Sequence, residues 1–91
     1  MKPSEAMLKG FAMAGGRQCK AAYCIGHHTK PTKVCALGAM GLGLNGSAVA
    51  HEGTNAALVA FREATSIPMI IASDKGMSIP DIAGILASEG Y

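Results

Sequence analysis

Residues 76–88 read Gly-Met-Ser-Ile-Pro-Asp-Ile-Ala-Gly-Ile-Leu-Ala-Ser, and several independent signals in them agree on a helix. Gly76 closes a preceding helix, and Ser78, with Asp81 three residues on, forms a near capping box for the next one. Pro80 stands in the first turn, where the missing N–H costs nothing. Met77 before the cap is placed to staple onto Ile82, and Ile79, Ile82, Ala83 and Leu86 recur at three, four and seven. These residues specify an amphipathic helix with a buried stripe.

Toward the N-terminus, Asn55 is expected to cap another helical stretch. Leu58, Phe61 and Thr65 line one side of it and Val59, Arg62 and Glu63 the other, until Ser66 and Pro68 interrupt it. Met69 to Lys75 reads as a short helix before Gly76. Val34 to Leu44 reads as a helix dense in small residues, with Leu37, Met40 and Leu44 at helical spacing and Gly38 and Gly41 allowing close approach. Asn45 to Ser47 form a turn, and a polar loop runs on to Thr54. At the other end, Ser4 is expected to cap a first helix with Glu5 in its first turn, Met7, Leu8 and Phe11 sharing one face and Gly15-Gly16 ending it. From Arg17 to Lys33 helical periodicity is lost. Ala21, Tyr23 and Ile25 alternate with small or polar residues before a turn-like Gly26 to Pro31, which leaves a short hairpin returning through Lys33 to Cys35 and a loop as the two alternatives. The fold class is therefore mostly α: one domain over 1–91, a small bundle of four or five short helices, with or without one short β-hairpin.

Composition narrows the class further. The chain has 91 residues, and although 49% are apolar, 16 are Ala and 12 are Gly, so the core is thin in side-chain volume. Such a core invites support from a partner subunit or a bound metal. The longest apolar run, Val34 to Leu44, is half of the roughly 20 residues a membrane helix needs. Lys2, Glu5 and Lys9 break up any signal-peptide apolar region, so the cytoplasm is the expected compartment. Three cysteines cannot all pair within one chain, which favours reduced thiols or metal ligands. Charge is asymmetric: residues 1–33 carry +5 and residues 34–91 carry −3, giving the net +2.

Several constellations are candidates for chemistry. Cys19, Cys24, His27, His28 and Cys35 fall within 17 residues and are the ligand types tetrahedral zinc prefers, but a single Cys-x4-Cys pair is looser than the paired knuckles of zinc ribbons, and Cys35 is expected inside an apolar helix. Arg17, Lys20, Lys30 and Lys33 form the basic set that would meet nucleic acid. A helix-turn-helix reading of 75–83 lacks its second helix, and Asp81 and Glu89 would repel phosphate. Gly41 to Gly46 matches GxGxxG but reads as a helix running out, and His51-Glu52 lacks the second histidine of a metalloprotease motif. Methionines 7, 13, 40, 69 and 77 fit helix faces as core filler. No activated nucleophile or acid–base pair emerges.

Cys35-Ala36-Leu37-Gly38-Ala39, with Ser4-Glu5-Ala6 and the ending from Asp74 through Ser78-x-x-Asp81-Ile82-Ala83, resembles small uncharacterised proteins of phages and bacterial genomes. Ser73 and Gly84 depart from that pattern, which has Asn and an aromatic there. The resemblance implies a helical fold and a mobile-element origin, and it transfers no catalytic residue. The expectation is thus a non-enzymatic interaction or accessory protein, with a protein partner or self-association, no membrane and no cofactor. The alternative is a nucleic-acid-binding or zinc-dependent regulatory module using residues 17–35.

Overall fold

The computed structural model describes residues 1–49 and 52–91. Helix α1 (Pro3–Met13) leads into a two-stranded antiparallel hairpin, β1 (Cys24–His27) and β2 (Lys30–Val34). Beyond it come α2 (Ala36–Asn45), a 3-10 turn at Glu52–Thr54, α3 (Asn55–Thr65), α4 (Met69–Asp74) and α5 (Ile79–Ser88). Mostly α, with five short helices and one hairpin, is the architecture expected from the sequence. Of the two alternatives for residues 17–33, the hairpin is the one formed. His51 lies outside the described residues.

Helix α2 is the centre. Seven of its ten residues are buried, and it meets α1 backbone to backbone. A methyl at Gly10 would overlap the carbonyl of Ala39, and one at Gly43 would overlap the carbonyl of Ala6, so both contacts require the missing side chain. Gly41 and Gly43 sit inside this helix and Gly46 caps it at φ 79°, which makes the GxGxxG match a helix end. Around this pair Met7, Val34, Met40, Leu42, Phe61, Met69, Ile79, Ile82 and Leu86 form the fully buried core. Helix α5 closes it with the expected stripe: Ile79, Ile82, Ala83 and Leu86 are all buried, and the Asp81 amide donates to Ser78 Oγ at 3.3 Å. Ser66, at φ 64°, ends α3, and Pro68 precedes α4.

Five local expectations are corrected. Asn55 is not the cap of α3 but its first residue, with Thr54 in the cap position. Ser4 is not the cap of α1; the helix starts at Pro3, the Lys2 amide donates to the Glu5 carboxylate at 2.9 Å, and buried Ser4 gives its own amide to the Tyr91 carbonyl at 2.9 Å. Leu8 is 46% exposed, because the inner face of α1 is built from Met7 with Ser4, Ala6 and Gly10, the last three small enough for the approach of α2. Val34 and Cys35 do not belong to α2: Val34 ends β2, and Cys35 is the helix N-cap, its sulfur accepting from the Gly38 amide at 3.4 Å. Met13 is half exposed and fills no core space.

Candidate functional site

The Cys/His/basic segment is positioned from both ends. Gly15 and Gly16, at φ 72° and 69°, turn the chain out of α1. The next residues run beside β2 as a parallel bridge, Gln18 opposite Val34, with the Cys19 amide on the Val34 carbonyl at 2.9 Å and the Val34 amide on the Arg17 carbonyl at 3.1 Å. Gln18 locks this strip to the α4–α5 corner. Its amide nitrogen donates to the Met77 carbonyl at 2.8 Å and its oxygen accepts from the Ile79 amide at 2.9 Å. Nearby, Asp74 accepts from the Ala21 amide at 2.9 Å, holding Ala21 at φ 60°, a conformation strained for a residue with a Cβ. On the other edge, β1 pairs Cys24 with Val34 and Ile25 with Lys33, and the register shifts at Gly26.

The five zinc candidates fall into two separate groups. Cys19 is buried and donates to the Ala22 carbonyl at 3.4 Å; Cys35 is buried at the start of α2; Cys24 is half-buried with its thiol toward the Gly26 carbonyl. Burial pushes the Cys19 thiol up, and the neighbouring Cys35 and Cys24 thiols add to the rise. Burial also raises Cys35, against the opposing pull of the Gly38 and Leu37 amides. His27 and His28 stand at the hairpin tip, their rings stacked 4.4 Å apart, His27 Nδ1 bonded to Thr29 Oγ1 at 2.8 Å and His28 Nδ1 to Ser47 Oγ at 2.7 Å. The thiols therefore gather around Val34 while both histidines lie at the far end of the hairpin. Among the described residues, no group of three or more His, Cys, Asp and Glu side chains converges on a point where one metal ion could sit. Arg17, Lys20, Lys30 and Lys33 are all exposed.

A second feature escaped sequence reading because three helices contribute to it. Leu37 of α2, Leu58, Val59 and Arg62 of α3, and Pro68, Met69 and Ile70 at the start of α4 line an open groove of about 230 Å³. Val59 is 56% and Ile70 42% exposed, so large apolar side chains form its lips, and Arg62 alone brings charge to its lining. The volume suits one or two large apolar side chains from outside. The sequence pairing of Val59, Arg62 and Glu63 on one side of α3 was the available signal; the walls from α2 and α4 had none.

Among the described residues no helix is long and apolar enough to cross a membrane. No protein-family model, curated protein or solved structure matches the chain, so the groove and the thiol cluster stand on their own geometry.

Proposed function

We propose that this chain is a small non-enzymatic accessory protein that works by protein–protein contact, and that the α3–α4 groove is the contact surface. The observation carrying the reading is the groove itself: apolar lips at Val59 and Ile70 over a half-buried floor at Leu37 and Leu58, rimmed by one cation. Exposed apolar area of this kind, edged by charge, marks interaction sites. Its occupant is a second copy of this chain. Arg62 and Glu63 are adjacent and exposed on α3, so two antiparallel α3 helices would set each arginine against the other's glutamate while Val59 of one copy enters the groove of the other. The thin core, with 28 of 91 residues Ala or Gly, is consistent with a need for that extra burial. A mobile-element origin, which the sequence resemblance implies, is part of the same proposal.

Sedimentation equilibrium tests it. The wild-type chain should show a dimer mass, Val59→Asp a monomer with an unchanged helical circular dichroism spectrum, and Arg62→Glu or Glu63→Arg a weakened dimer that the double exchange restores. A wild-type monomer at every accessible concentration would overturn the assignment of the occupant.

One observation favours a second reading: residues 17–33 hold four exposed cations and no carboxylate, a surface suited to phosphate. Submicromolar binding of DNA or RNA at physiological salt, lost in Lys30→Glu/Lys33→Glu, would place nucleic acid ahead of self-association.

A further inference from the structure

The parallel bridge of Gln18 with Val34 fixes the register between the two extended segments. Carried one residue on, this register sets Cys19 opposite Cys35, whose backbone is still extended at φ −87°, ψ 177°. Side chains alternate along extended strands, so Cys19 and Cys35 share the face opposite to Gln18 and Val34. Neighbouring strands are spaced about 4.8 Å, within the window of roughly 4.4–6.8 Å between Cα atoms that a disulfide requires. Cys24 is the partner of Val34 across the antiparallel edge and belongs by the same alternation to the other face. Cys35, and after it Cys24, raises the Cys19 thiol, so both sulfurs lie near Cys19 and it is the strand register that selects Cys35.

Both residues are buried, but Cys35 borders an opening. Cys35 lines an open cleft of about 460 Å³ with Ala21, Ala22, Tyr23, Ile70 and Asp74, wide enough for a small peroxide but built largely of apolar surface. We infer that Cys19 and Cys35 form an oxidative modification site, in which a hydroperoxide entering the α4 cleft oxidises Cys35 and Cys19 then closes a disulfide onto it. In the first step the Cys35 thiolate attacks the peroxide O–O bond, giving the sulfenic acid and, with one proton, water or an alcohol. In the second, the Cys19 sulfur displaces the sulfenic hydroxyl as water, so two thiols lose two hydrogens and the peroxide is the oxidant reduced. Burial holds both thiols in the protonated form at neutral pH, so the site is slow there, and its rate climbs about tenfold per pH unit while the thiolate fraction is small. Closing the bridge would fasten the 17–19 strip to the start of α2.

Trypsin separates the three cysteines onto peptides 18–20, 21–33 and 34–62, since Pro31 protects Lys30. The folded chain is treated with hydrogen peroxide at pH 7 and pH 9, alkylated after denaturation and mapped by mass spectrometry. The expected result is loss of two hydrogens, peptide 18–20 joined to 34–62, Cys24 alkylated, and faster closure at pH 9. Cys24→Ser should keep the bridge and Cys19→Ser should abolish it. Because Cys35 caps α2 and its substitution endangers folding, Cys19→Ser carries the test, with a rise in melting temperature on oxidation, reversed by dithiothreitol, as the second readout. A bridge containing Cys24, a bridge between chains, or three alkylated cysteines after treatment at both pH values would overturn the site.

Discussion

A methyl group added at Gly43 would occupy the space of the Ala6 carbonyl, and one added at Gly84 would meet nothing within 4 Å. Both glycines lie inside helices, where alanine is ordinarily the better residue by about 0.5–1 kcal/mol. Sterics therefore decide the sign. Gly84→Ala should stabilise the chain by about that amount, whereas Gly43→Ala should destabilise it by about 1–3 kcal/mol, because a backbone carbonyl cannot step aside as a side chain can. Urea midpoints of the two variants against the wild type check this; a Gly43→Ala midpoint at or above the wild type would mean that α1 and α2 separate without cost. Ser4 likewise shows what a residue's identity conceals. Serine outranks lysine as a helix cap, yet its amide is claimed by Tyr91, and the Glu5 carboxylate closes the helix start on Lys2.

Among the elements, α5 is the one whose cap, staple and stripe agree, and it packs as that agreement requires. Ser78→Ala should cost about 1 kcal/mol through the lost bond to the Asp81 amide. Ile82→Ala should cost about 2–5 kcal/mol through lost burial and the cavity left behind. Both should lower the thermal midpoint; an Ile82→Ala chain of unchanged stability that no longer associates would make α5 an interface and not a core helix. This helix, α4, and the span of α3 were legible because their signals are local, set by caps, glycine and proline stops and periodicity. The β2–α2 junction was not. Val34 and Cys35 continue the apolar run of α2 in sequence, and only the pairing of Val34 with Gln18 on one side and Cys24 on the other holds them extended. For the same reason the cysteines were visible as a set but their order in space was not: spacing along the chain says nothing of the strand that brings Cys19 beside Cys35. The groove was hidden more deeply, since Leu37, Val59 and Ile70 are far apart in sequence and meet only after three helices have packed.

The Cα radius of gyration of the folded chain is 11.2 Å, below the roughly 12 Å usual for this length, as backbones in direct contact across Gly10 and Gly43 would give. The two raised thiols make this compact state sensitive to alkali. In the unfolded chain thiols ionise near pH 8.5, whereas in the folded chain burial keeps Cys19 and Cys35 protonated to higher pH, so the unfolded state binds fewer protons there. Their contribution to stability is complete below about pH 8.5 and is lost as pH rises from there through the folded values. The urea midpoint should fall between pH 7.5 and pH 9.5, as roughly one unit either side of the ordinary thiol value, and fall less in Cys19→Ala; an equal slope in the two proteins would trace the alkaline loss to other groups. The packing of α1 against both α2 and α5 also sets a timetable. A ribosome makes α1 first and α2 soon after, but α5 is completed 43 residues later than α2, a delay of roughly 2–9 s at about 5–20 residues per second. Because α5 is the last element made, an α1–α2 pair has no cover for its α5-facing side until the whole stretch from α3 to α5 is free to fold, which makes that stretch the one whose truncation would leave the pair bare.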